Sequence, residues 1–118
     1  MKKKIIYQDC YLKYSTGYVE KYQLENGADV ESLYTQIDEL YVPKEKRYQK
    51  IEYKLLNRAM KQILDEGDLT IKYFCKEAKE EEYFDYIFSI LTDFGFHILS
   101  KSDQGVMFGF LTKDEIEE

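Results

Sequence analysis

Along the 118-residue chain the apolar pattern begins with period two, shifts to a helical period, and ends with period two again. The first 24 residues are rich in Ile, Val and Tyr, types that suit a pleated, half-buried surface. They predict a strand at 3–8, a bulge or kink near Asp9, and strands at 10–14 and 18–24 joined through the turn signal Ser15, Thr16, Gly17. Asn26 and Gly27 close this section. Val30, Leu33, Tyr34 and Ile37 then recur at i, i+3, i+4, i+7. That spacing predicts a short helix, N-capped by Asp29 and ended by Pro43, the only proline.

The clearest helical pattern covers 46–65. Tyr48, Ile51, Leu55, Leu56, Ala59, Met60 and Ile63 make one broad apolar arc, and Gly67 is placed to cap it. Leu69, Ile71, Tyr73 and Cys75 alternate with polar or outward positions, predicting a strand at 69–76. A second long helix is expected at 77–94, with Tyr83, Phe84, Ile87, Phe88, Ile90, Leu91 and Phe94 on its inner face and Gly95 as its cap. A hairpin from 96 to 111 follows. Gly105 supplies its turn, and Gly109 marks a bulge or close packing within its last strand. Residues 112–118 read as an acidic, frayed tail.

The resulting order is β-β-β-α-α-β-α-β-β in a single domain, 1–118. The expected class is α+β, with a mainly antiparallel sheet and three helices, two of them long and amphipathic, packed on one face. A chain of this length buries enough surface to fold without a disulfide or metal. Cys10 and Cys75 are far apart and belong to no Cys/His cluster, so two free thiols are expected and no zinc site. No apolar run approaches a membrane span, and Gln8 and Asp9 interrupt the apolar stretch a signal peptide needs. A cytoplasmic location without membrane contact is therefore expected.

Charge changes the picture. The net charge is −6, yet residues 44–61 carry seven basic and two acidic side chains. Residues 1–62 sum to +3 and residues 63–118 to −9. On an ideal helix over 46–65, Arg47, Lys50, Lys54, Arg58 and Lys61 form one continuous stripe. Glu81, Glu82, Asp85 and Asp93 lie on the outer face of the second long helix, with Glu80 at its start.

No P-loop, GxSxG, GxGxxG, HExxH or EF-hand pattern is present. His97 stands alone, with no nucleophile placed beside it by spacing. The sequence therefore argues against an enzyme and against any cofactor. Its leading reading is a small acidic binder acting stoichiometrically on another protein, an inhibitor of the anti-CRISPR or toxin-immunity type carried by a phage or mobile element. Glu80, Glu81, Glu82, Asp85 and Asp93 would occlude a basic surface, such as that of a nucleic-acid-binding enzyme. Tyr11 and Tyr14 would add aromatic contacts. The alternative is a nucleic-acid-associated accessory protein that holds phosphates with the basic stripe. A homodimer pairing one copy's basic helix with another's acidic helix is a third arrangement.

Overall fold

A computed structural model describes residues 1–67, 70–76 and 81–111. Strands β1 (Lys2–Tyr7), β2 (Cys10–Gln23) and β3 (Asp29–Tyr41) come first, then α1 (Ile51–Asp65), β4 (Thr70–Cys75), α2 (Glu81–Phe94), β5 (His97–Ser102) and β6 (Gly105–Leu111). The six strands form one sheet in the order β1-β2-β3-β4-β6-β5. Only β3 and β4 run parallel; the other four pairings are antiparallel.

Three expectations need correcting. The segment expected as a short helix is β3. Its helical spacing is outweighed by pairing with β2, from Tyr11↔Tyr41 to Gln23↔Asp29, and Val30, Tyr34, Thr35 and Ile37 suit that ladder. The sheet is consequently mixed, and the described residues hold two α-helices rather than three. Second, Gln8 and Asp9 turn the chain between β1 and β2, with Gln8 at φ 56°, as a two-residue hairpin requires. Third, Thr16 and Gly17 form an irregularity inside β2, which continues through them. The expected tail at 112–118 lies outside the described residues.

A row of paired residues, Tyr14, Ile37, Tyr73 and Phe108, crosses the middle of the sheet on one face and is buried throughout. Both helices cover this face. From α1, Ile51, Leu55, Leu56, Ala59, Met60 and Ile63 are buried. From α2, Tyr83, Ile87, Ile90 and Leu91 are buried, and the rings of Phe84 and Phe88 lie 6.3 and 5.9 Å from Phe108. The opposite face carries Lys2, Lys4, Lys13, Gln36 and Lys72. Gly109 answers to close packing, since the Leu99 side chain lies against it. Beyond their bulges, β2 and β3 pair only with each other in the sheet and form an arm on which Val19 and Leu33 stand exposed.

Candidate functional site

β3 and β4 pair over just three positions, Thr35↔Ile71, Gln36↔Lys72 and Ile37↔Tyr73. Glu39 lies opposite Lys13 and Ile37 opposite Tyr14, so Asp38 is the extra residue of a bulge. A bulge bends its strand and increases its twist. Past this point no ladder joins β3 to β4, although β3 runs on to Tyr41 and β4 to Cys75. A cleft of about 350 Å³ opens there, lined by Asp38, Glu39, Tyr73, Phe74 and Lys76. It lies toward the carboxyl ends of the two parallel strands, where their edges part.

Two carboxylates sit at the cleft. Asp38 accepts hydrogen bonds from the Ser15 hydroxyl and from Gln36 Nε2 at 3.0 Å. Glu39 accepts one from the Tyr11 hydroxyl at 2.9 Å, with Lys13 Nζ at 3.8 Å. The bond to Glu39 pushes the Tyr11 phenol above its ordinary pKa. Tyr11 also stacks on Tyr41 at 5.2 Å, and Lys4 Nζ lies 4.4 Å from its ring centre.

The chain leaves β3 through buried Val42, makes a 3₁₀ turn at Lys44–Lys46, and enters α1 at Ile51. Lys46 binds Asp9 at 2.5 Å, which lowers the Asp9 pKa and raises that of Lys46. Arg47 Nε donates to the Val42 carbonyl at 3.1 Å, and its guanidinium lies 4.0 Å from the Tyr83 ring centre. Tyr48 and Lys50 both hold φ 68°. Lys50 is the N-cap of α1 and makes no side-chain capping bond; its N–H donates to the Tyr86 hydroxyl at 3.3 Å. Glu52, in the first turn of α1, is fully buried. Its Oε2 accepts from the Tyr83 hydroxyl at 3.1 Å, whereas Oε1 has no hydrogen-bond partner. Burial, with the Glu52 charge adding to it, raises the Tyr86 pKa.

These positions rearrange the expected sites. Tyr14 is fully buried beneath α1, so it cannot contact a partner; Tyr11 remains on the outer face. The basic stripe is divided because α1 starts five residues later than expected. Lys54, Arg58 and Lys61 are exposed on α1, while Arg47 and Lys50 belong to the turn before it. Glu82, Asp85 and Asp93 are exposed on α2; Glu80 and the Glu81 side chain lie outside the described residues. Asp38, Glu39 and Glu52 were not among the expected site residues. For Glu52 the signal existed, since 52, 55, 56, 59 and 63 share one helical face.

Neither a family model nor a curated sequence matches the chain. Solved structures do. The PaiA N-acetyltransferase of Thermoplasma acidophilum, in complex with coenzyme A, superposes with a TM-score of 0.57 at 16% identity, covering 87% of this chain and 53% of that one. A GNAT-family acetyltransferase of Staphylococcus aureus gives 0.56 at 14% identity, covering 88% and 60%. The Y144F mutant of the toxin AtaT, bound to the C-terminus of the antitoxin AtaR, gives 0.53 at 16% identity, covering 89% and 59%. The chain thus spans 53 to 60% of the length of these proteins.

At such identities the likeness establishes the fold, which is that of GNAT acetyltransferases. It overturns the expectation of a non-enzymatic inhibitor of the anti-CRISPR or immunity type. The resemblance lies in the three-dimensional fold, at sequence identities of 14 to 16%. Among the described residues no helix is long and apolar enough to cross a membrane.

Proposed function

We propose that the chain is an acyltransferase domain that moves an acyl group from a thioester to an amine. The observation carrying this reading is the parting of β3 from β4 at the Asp38 bulge, in a fold shared with acetyltransferases. Two diverging strand edges suit an extended, amide-bearing arm, which adds to a sheet as another strand would. Asp38 and Glu39 give the cleft two carboxylates able to hold an ammonium, beside Lys76 in its lining and Lys13 near Glu39. In this reading Glu39 takes the proton of the incoming amine, and Tyr11, kept protonated by its raised pKa, orients that carboxylate. The amine nitrogen attacks the carbonyl carbon. The C–N bond forms as the C–S bond breaks, and the departing sulfur takes a proton from water.

Coenzyme A, present in the Thermoplasma structure, joins an amide-bearing arm to phosphates. The cleft suits the arm. The start of α1 does not suit the phosphates, because Tyr48 and Lys50 carry side chains where the backbone is left-handed and Glu52 places a carboxylate in the first turn. The reaction is accordingly assigned to the thioester alone. The projecting arm, with Val19, Leu24 and Leu33 exposed, supports a protein as carrier of the amine.

The test is amine-dependent thiol release from acetyl thioesters between pH 6 and 9, with polyamines, lysine peptides and protein acceptors. Glu39→Gln is expected to lower kcat by about a hundredfold, the scale of general-base loss. Absence of amine-dependent release from the wild type, or a Glu39→Gln enzyme of unchanged rate, would sink the reading.

A further inference from the structure

A second cavity, of about 370 Å³, borders the cleft. Lys2, Lys3, Lys4 and Lys13 line it, and among the described residues Asp38 is the one acid in its lining. Asp38 also lines the cleft, and Lys13 Nζ lies 3.8 Å from Glu39, the other carboxylate there. The two spaces therefore meet at the Asp38 bulge.

Strand register concentrates the charge. Lys4 of β1 stands directly opposite Lys13 of β2, and Lys2 opposite Ser15, on the face away from the helices. Like charges opposed across two strands destabilise the pairing. The Tyr11 ring offsets part of this cost, with Lys4 Nζ 4.4 Å and Lys13 Nζ 5.1 Å from its centre. Lys3 is bound to Glu66 at 2.6 Å. Among the described residues neither Lys2 nor Lys4 pairs with a carboxylate. Opposed cations at a cavity, in a chain of net charge −6, point to an anion supplied from outside.

The spacing of the two sites says what that anion belongs to. The lysines straddle β1 and β2, and the cleft opens between β3 and β4, two strand spacings away, or about 10 Å. Resting on the acyltransferase reading above, we propose that the acceptor is an acidic peptide segment: its amine enters the cleft at Glu39, and a carboxylate or phosphate of the same segment sits among Lys2, Lys4 and Lys13. A lysine is a point charge on a flexible stem, so it serves either anion. Polyamines, cationic throughout, are repelled by the same side chains. The exposed Val19, Leu24 and Leu33 of the arm favour a protein over a nucleic acid as the carrier.

The experiment uses lysine peptides that differ at a single residue, about three positions from the lysine, filled by serine, glutamate or phosphoserine. With an acetyl thioester as donor, the wild type should favour each acidic peptide over the serine peptide by at least about tenfold in kcat/KM. That preference should be lost in the Lys2→Ser, Lys4→Ser double variant, whose exposed positions leave the fold intact and whose melting curve checks it. Calorimetric titration with the same peptides, without donor, reads the cavity apart from acyl transfer. The acidic peptides should bind more weakly as salt rises, and the double variant should lose at least about tenfold in affinity. Whichever acidic peptide binds tighter identifies the anion. Equal transfer to and equal binding of the serine peptide, or a folded double variant that keeps the wild-type preference, overturns the proposal. So does an oligonucleotide that binds the same lysines more tightly than either acidic peptide. No acetyl transfer to any amine, with lysine-dependent binding of the acidic peptides intact, would strike the acyltransferase reading and leave the acidic-peptide site standing.

Discussion

The two ends of α1 are built to opposite rules. At its C-terminal end the backbone preference is met. Gly67 holds the left-handed conformation at φ 92°, and its N–H donates to the Leu64 carbonyl at 3.0 Å. Glu66 there accepts from Lys3 Nζ at 2.6 Å and from the Tyr14 hydroxyl at 3.2 Å. At the N-terminal end the same backbone conformation is held by Tyr48 and Lys50, and the carboxylate of Glu52 is buried with one oxygen unmet. One helix thus has a carboxylate near each end, one satisfied at the surface and one not, in the interior. Local preferences are set aside at the N-terminal end of α1, where the tertiary packing of Tyr83 and Tyr86 holds the backbone and Glu52 in place.

Four measurements would break or sharpen this contrast. Tyr14 joins the C-terminal end of α1 to the core, so Tyr14→Ala should cost about 3–5 kcal/mol in denaturant unfolding, whereas Tyr14→Phe should cost about 1. At the other end the Tyr83 hydroxyl donates to Oε2 of buried Glu52. Tyr83→Phe should cost about 2 kcal/mol, because it removes a hydrogen bond from a buried carboxyl group; a neutral result would show that water or another group takes its place.

Glycine exchange should change sign between the ends. Gly67→Ala is expected to lose about 1 kcal/mol, and Lys50→Gly to gain about 0.5, since relief of left-handed strain exceeds the added freedom of the unfolded chain. Two losses would mean that the Lys50 side chain contributes more than its strain costs. The smallest effect is one of pH. The hydrogen bond from Lys3 lowers the Glu66 pKa below the ordinary glutamate range. Its contribution is therefore fully present above the unfolded glutamate pKa, about 4.3, and lost as pH falls through the lower folded value. Melting curves of Glu66→Gln should accordingly lose less stability than wild type between about pH 5 and 3.

Much of the body was legible before folding. The inner face of α1, from Ile51 to Ile63, its Gly67 cap, the alternation of Ile71, Tyr73 and Cys75 in β4, the inner face of α2 and the final hairpin all follow from periodicity and cap chemistry. Those signals are local, reaching no further than one or two turns. β3 runs against its own local pattern: Val30, Leu33, Tyr34 and Ile37 satisfy a helical period, and partners up to thirty residues away in β2 decide otherwise. The positive charges near α1 are evident in the sequence, but their grouping into one stripe needs a helix from 46, and α1 begins at Ile51.

The sequence by itself determined which faces of α1, β4 and α2 are apolar, where the glycine caps fall, and how unevenly charge is distributed. Tertiary structure alone decided that β3 and β4 run parallel and then part at Asp38, that Glu39 meets Tyr11, and that Tyr83 reaches Glu52 from another helix. These are pairings between residues distant in sequence. Their energy comes from the assembled sheet and the closed core, and no short-range pattern encodes it.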